Sequence, residues 1–409
     1  MKLATAFLFA IALTGPLGAQ HTTAGRTSVL ATAAPWKGFH AEPAALSAAV
    51  PAAVIQTVAV VPNYRALSAA SFDMELGGNV YTATSGPREE RLDGGFFQQF
   101  TVPGAPATSF VTYSQGSARG VIVTPDGAML FEAGSQGVRL VQGVPSLACD
   151  LVDHAPNGAR AEAVTAAAGR RHAAAPVVPP EFQPTVVRIM YAVCPESFAA
   201  AGGGTEIQTE AQAFVDQLTV IARDSGYPKT RFELAGILLT TIVPAGDSAK
   251  DLDAVAKDQN VRVVRKQYGA DLVGFMTEAD NGGAYSPSGF EDFSPDKGFF
   301  VFPRAYSLLS FTHAHEAGHT MGMKHNIENA GVPVPSQIPW AYGFHNDLGK
   351  IQDVMGVYTS PAGLVYSRVP LYSTTSTMWQ GKMAIGGEAS NNAKLLDHTA
   401  VGQYHLTLP

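Results

Sequence analysis

Cysteine is almost absent: the chain of 409 residues has two, Cys149 and Cys194. Two thiols form at most one bridge, so a disulfide framework is not what holds this protein together. Charge is scarce too. Asp, Glu, Lys and Arg make up 15% of the residues and net −7, and no long basic run occurs, so a nucleic-acid surface is disfavoured. Past residue 20 no apolar stretch reaches the ~20 residues of a membrane helix, which disfavours a multi-span membrane protein. The 41 glycines and 27 prolines fall short of the ~25–30% typical of low-complexity chains and have no collagen period. What remains is an apolar chain, 46% hydrophobic, long enough for full cores in two or three domains.

The N-terminus has the three-part pattern of a secretory signal. Lys2 gives a positive start, Leu3 to Leu13 form a short apolar core, and Gly15-Pro16 break it. Gly18-Ala19 then offer small residues for cleavage before Gln20. A secreted protein is expected, extracellular or periplasmic, with residues 1–19 removed.

Residues 20–70 are rich in Ala, Thr and Pro and read as weakly packed. From about 71 to 149, short β-like runs appear at 97–102, 109–113, 121–124, 129–131 and 138–141. Turn signals separate them, notably Gly104, Gly116 and Pro125-Asp126-Gly127. A small antiparallel β domain without metal ligands is expected, so that 20–150 forms one unit. Residues 151–183 read as a linker, Ala-rich, with Pro176, Pro179 and Pro180 and an exposed Arg170-Arg171 suited to proteolysis. From 184 to the end, strand-like and helix-like patterns alternate. Strands are expected at 186–194, 231–240 and 270–276. One helix should carry Ile207, Phe214, Leu218 and Ile221, a second should span 248–268, a third should start near Ser307, and a closing helix should carry Ala393, Leu396, Ala400 and Tyr404. This order predicts an α/β layer with a largely parallel sheet.

Residues 315–325 read His-Glu-Ala-Gly-His-Thr-Met-Gly-Met-Lys-His. On a helix, His315 and His319 lie one turn apart on one face, which suits two imidazoles to one zinc ion. Gly322 tolerates φ > 0, so the chain can stop its helix and turn His325 back to the same ion. Three His ligands leave a coordination position open, the catalytic arrangement. Glu316 stands beside it as a general base for water. Five such fixed residues recur by chance in roughly three of 100,000 chains of this composition. His313 is two residues off the ligand face and reads as a supporting or surface histidine. His345, His398 and His405 have no ligand-like spacing.

The pattern H-E-x-x-H-x-x-G-x-x-H resembles the zinc motif of the metzincin metallopeptidases. That resemblance implies a methionine turn under the metal, which Asp353-Val354-Met355-Gly356 fits, with Met355 as apolar floor. The stretches Tyr268-Gly269-Ala270-Asp271-Leu272-Val273 and Arg368-Val369-Pro370-Leu371-Tyr372-Ser373, and the closing Asn391-Asn392-Ala393, resemble bacterial reprolysin-like peptidases. The upstream β region is similar to the propeptide of such enzymes. Three departures stand out. Asn326 follows the third His where reprolysins often have Asp; Val357 occupies the place of a turn tyrosine; and the disulfides of animal reprolysins are missing.

The resemblance implies a secreted zinc endopeptidase made as a zymogen, acting on proteins or peptides, with one catalytic Zn2+. Ca2+ is left open, since no spacing marks a site for it. Extended substrate would pair along an edge strand within 281–302, where Gly282-Gly283-Ala284 allows close approach, and residues 358–361 would wall a specificity pocket. Cys149 has three readings: a thiolate switch on the zinc, a disulfide partner of Cys194, or a free thiol. Two other functions remain in view: a zinc-binding module that recognises proteins without cutting them, and hydrolysis of a non-peptide amide or ester.

Overall fold

Alternating side chains on paired strands dictate the N-terminal half. In the computed structural model, which describes residues 28–32, 56–62, 66–76, 79–135, 137–142, 186–279, 282–287, 293–329, 338–358 and 366–396, nine strands close into a barrel. They are β1 (Ser28–Thr32), β2 (Gln56–Pro62), β3 (Ser71–Leu76), β4 (Asn79–Glu90), β5 (Phe96–Thr101), β6 (Ser109–Ser114), β7 (Ser117–Thr124), β8 (Gly127–Gly134) and β9 (Gly137–Gln142). Neighbours run antiparallel except for β1 beside β3, which is parallel and closes the ring. The antiparallel expectation holds, but its N-terminal boundary is corrected. β1 and β2 fall within the stretch read as weakly packed. Their short β-branched runs, such as Thr57-Val58 and Val60-Val61, were diluted by the surrounding Ala and Pro. The expected leader, the linker 151–183, Cys149, His398 and His405 lie outside the described residues.

Period-two alternation sends one set of side chains into the barrel and the other outward. Phe96, Phe100, Ile122, Met129 and Phe131 belong to the interior cluster. Phe97, Phe110, Val121, Val123 and Leu130 join a different core, shared with the C-terminal half. All eight residues of β7 are therefore buried.

In the C-terminal half, a five-stranded sheet has the order β11-β10-β12-β14-β13. It comprises β10 (Val186–Val193), β11 (Arg231–Leu239), β12 (Leu272–Thr277), β13 (Gly283–Ala284) and β14 (Phe299–Pro303). Four strands are parallel, and the short edge strand β13 runs antiparallel to β14. The mixed, largely parallel sheet is thus as expected from the βαβ order. Its helices are α1 (Pro195–Ala201), α2 (Gly204–Asp224), α3 (Ser248–Lys257), α4 (Gln259–Tyr268), α5 (Ser307–Ser310) and α6 (Thr312–Thr320). The expected single helix 248–268 is broken in two. Asp258 sits extended between α3 and α4 and accepts a bond from Val261 N at 2.9 Å, a side-chain cap that restarts the helix. Of the expected closing helix, Asn392–Leu396 form only a short 3-10 turn, and residues 397–409 lie outside the described residues.

Helix α2 is wedged between barrel and sheet. One side carries Phe214, which meets Tyr191 and Phe302 of the sheet at ring distances of 6.0 and 5.0 Å. The other side presents polar groups that the barrel satisfies. Arg91 donates to both oxygens of Asp216 at 2.7 Å, and Thr112 Oγ1 donates to the same carboxylate. Ser135 N donates to Glu206 at 3.1 Å, and Thr209 Oγ1 to Ser114 O at 3.4 Å. Fourteen of the 21 residues of α2 are buried, far more than the ~100° stripe of a surface helix.

Candidate metal centre

Helix α6 begins after Phe311, which takes a left-handed φ of 59° and separates it from α5. His315 and His319 project from α6 on one face. The helix ends as the motif requires: Gly322 has φ of +90°, and Met323 N bonds back to Gly318 O at 3.0 Å. The chain then enters β15 (Lys324–Asn326), which pairs in parallel with β16 (Tyr342–Gly343). That pairing fixes His325 opposite the helix.

The three Nε2 atoms converge to 2.9–3.1 Å of one another. Nitrogens around a tetrahedral zinc with ~2.05 Å bonds lie about 3.3 Å apart, so the spacing fits one ion. Two outer nitrogens are oriented by backbone oxygens: His315 Nδ1 lies 2.8 Å from Val354 O and His319 Nδ1 2.9 Å from Met323 O. As donors there, those imidazoles turn their Nε2 lone pairs inward. All three rings are buried. Burial, followed by the charge of Arg368, holds His315 well below the usual imidazole range; burial, then His319 and Arg368, does the same for His325. Neutral imidazole is the ligating form. Among the described residues this is the one cluster of three or more such groups.

Glu316 is the next residue on α6, buried, and lies against the sheet edge. A Cβ at Gly282, the residue before β13, would sit 2.5 Å from its Oε1 and 2.9 Å from its Cγ. Glycine there lets the carboxylate pack against the edge strand. Gly282→Ala should displace the Glu316 carboxylate and cost about 1–3 kcal/mol of stability. An unaltered urea midpoint would contradict this placement.

Met355 lies under α6: its Sδ would be 2.5 Å from a Cβ at Gly318, so the missing side chain is what admits it. Tyr372 packs beside it and donates its hydroxyl to Ala314 O at 2.8 Å.

Three residues gain roles that spacing did not reveal. Asn326, in sequence only a departure from the family pattern, accepts from Val357 N at 3.1 Å and donates to Glu328 at 2.9 Å, joining the third histidine's strand to the segment after the methionine turn. Asp353 is buried within that turn and accepts from Phe344 N, Ser373 N and Asn392 Nδ2 at 3.2, 2.8 and 3.1 Å. Arg368 donates to Gly356 O and Ser310 O at 3.1 and 3.4 Å. Each has at least one partner distant in sequence, which spacing alone does not reveal. One expectation is corrected: His313 is not at the surface. Its ring is fully buried between Phe214 and Phe302, 4.6 and 5.7 Å away, and burial lowers it to about 3. Tyr358 stacks face to face on His345 at 3.7 Å; residues 359–361 lie outside the described residues. Cys194 is a buried free thiol whose sulfur caps α1.

Burial pushes the Asp353 carboxyl up to about 7, against three donors that favour its charged form. An unfolded carboxyl titrates near ~3.9. Between those values the folded chain holds a proton that the unfolded chain has lost, so this group lowers stability as pH rises from about 4 to about 7. Asp353→Asn should flatten that slope while destabilising the turn, because its amide sets an N–H against a donor. Urea midpoints at pH 4.5 and 7.5 measure it, and an unaltered slope would refute the assignment.

Residues 208–326 match the family model described as metallo-peptidase family M12B, reprolysin-like. The chain is 38% identical over 90 residues to a peptidyl-Asp metalloendopeptidase of Pseudomonas aeruginosa, covering 19% of this chain and 15% of that protein. It thus spans about a seventh of the length of that curated relative. Among solved structures, a chaperone–substrate complex matches 72% of this chain and 38% of its own, with 15% identity and a TM-score of 0.42. Metalloproteinase-II from Bacteroides fragilis matches 65% and 84%, with 11% identity and a TM-score of 0.37. Both structural similarities are too distant to carry an argument. Members of the matched family use a divalent metal, typically zinc, and the histidine cluster is compatible with one. Through the segment 208–326, which holds all three converging histidines, this chain is similar to the reprolysin-like metallopeptidases.

Proposed function

We propose that this protein is a secreted zinc endopeptidase, made as a zymogen, in which His315, His319 and His325 hold the metal and Glu316 is the general base. The observation that carries the reading is the convergence of three Nε2 atoms within 3.1 Å beside a buried carboxylate on the same helix. Zinc bound there would supply a Lewis acid that acidifies a water and polarises the scissile carbonyl. Glu316 takes the proton from the attacking water and passes it to the leaving amine nitrogen. Val354 O and Met323 O fix the ring orientations of His315 and His319. Met355 fills the space under α6 as an apolar floor. The extended substrate pairs with the edge strand β13, next to Glu316.

The barrel is the prodomain in this reading, with the catalytic unit from about residue 184. Residues 1–19 direct export, and cleavage within 151–183 relieves latency. Cys149, as a zinc-bound thiolate, is one way of holding that latency. Among the described residues no helix is long and apolar enough to cross a membrane. The relative's name specifies peptidyl-Asp bonds, so Asp-containing peptides are the first substrates to offer. The test is cleavage of such peptides with and without a chelator. Chelator-sensitive cuts support the reading; stoichiometric zinc without cuts, after the linker has been cleaved, turns it to a protein-recognition module.

A further inference from the structure

A strand of an antiparallel sheet commonly turns one face to a core and the other to water. Three consecutive strands of the barrel depart from this. All eight residues of β7 are buried, and β6 and β8 are buried on both faces along most of their length. What covers them belongs to the C-terminal half: β6 and β7 pack on α2, and β7 and β8 pack on α5. Phe110, Val121 and Leu130 of the barrel share one apolar cluster with Ala213 and Val220 of α2 and Leu308 of α5. Ala213 and Val220 continue the helix face that carries Thr209 and Asp216.

The polar groups of that face are matched across the contact. Helix α2 supplies carboxylate acceptors and the barrel supplies donors: Ser135 N to Glu206 at 3.1 Å, and Arg91 to both oxygens of Asp216 at 2.7 Å. One end of the contact is different. A cavity of about 170 Å³ there is lined by Arg119 and Glu132 of the barrel and by Glu206, Glu210 and Arg304 of the other half. Arg119 pairs with Glu132, and Arg304 with Glu210, each within its own half. Opening that end leaves both pairs intact, so it holds the halves weakly. The apolar middle and the Arg91–Asp216 pair hold them strongly. Parting there exposes contiguous apolar surface on both halves, which soluble proteins rarely carry, and leaves a carboxylate without its cation.

We propose that this face of the barrel is a lasting interface, and that after cleavage within 151–183 the barrel stays seated on α2 and α5 as a non-covalent subunit of the peptidase. This rests on the zymogen reading above and deepens it: the cut changes the connecting segment, and the barrel is not the part that leaves. Helix α5 leads into α6 through Phe311, so the seated barrel also braces the helix that carries His315, Glu316 and His319.

The test places a site for a sequence-specific protease within 151–183. The folded full chain is cut and passed over a size-exclusion column at about 0.1 µM, and the pieces are identified by mass spectrometry. Both pieces should elute together at the volume of the uncut chain. Separation at that concentration would overturn the proposal. Arg91→Met, folded as the full chain and cut in the same way, should come apart at about 100-fold higher protein concentration. Separation that ignores Arg91→Met would overturn the proposal too, because another contact would then hold the pieces. The two readings fail separately. Pieces that stay together and cut no peptide keep the association and sink the peptidase. Peptide cleavage confined to fractions that have lost the barrel keeps the peptidase and sinks the association.

Discussion

Glu316→Gln should retain the fold and the metal and lose activity by on the order of 10²–10⁴-fold. Gln is nearly isosteric, so the packing against Gly282 is preserved; what disappears is the capacity to accept a proton. The three imidazoles are untouched, and their outer bonds to Val354 O and Met323 O do not involve residue 316. Metal content by elemental analysis should therefore stay at the wild-type level while kcat falls. Near-normal turnover would remove Glu316 from the mechanism. Loss of metal together with activity would mean that the carboxylate supports the site rather than the proton transfer.

The second large effect concerns the barrel. Arg91→Met leaves Asp216 on α2 with Thr112 and Gln212 as donors but without its cation, and the carboxyl is already pushed up by burial. Breaking a buried pair from one side costs about 3–5 kcal/mol, and Arg91 is one-fifth exposed, so about 3 kcal/mol is expected. The sign with pH is set by Asp216. Losing the Arg91 charge raises its folded value further above the unfolded ~3.9, so the deficit is fully present at neutral pH and shrinks as pH falls toward ~4. Arg91→Met with Asp216→Leu should recover part of the loss, since neither half of the pair then remains. Denaturant unfolding at pH 4.5 and 7.5 measures both effects. A change below about 0.5 kcal/mol at neutral pH would mean that the barrel is not gripping α2 through this pair.

That grip also bears on how much could be read in advance. The strands of the parallel sheet were legible because both faces are covered, giving continuous apolar runs such as Val186–Val193. The converging histidines were legible because helix geometry converts sequence spacing directly into direction. The outward-facing barrel residues Phe97, Val121 and Leu130 read as generic apolar positions; nothing local says that they face α2 rather than the barrel interior. Asp258 was lost inside one long helical pattern because the apolar spacing continues across it. The surface alternative for His313 fails because its distance from the ligand face was legible and the aromatic wall behind it was not. Asn326, Asp353 and Arg368 act through partners up to dozens of residues away, brought together by loops without periodicity, and only tertiary structure reveals them.

The central claim is that the converging histidines and Glu316 form the working centre of a peptidase. Mass-spectrometric readout of peptide-library digestion, by protein whose 151–183 segment has been cleaved, tests it most directly. The account predicts cuts that stop with chelator, return with zinc, and are absent from Glu316→Gln. One zinc bound per chain, with no cuts in any peptide, would contradict it.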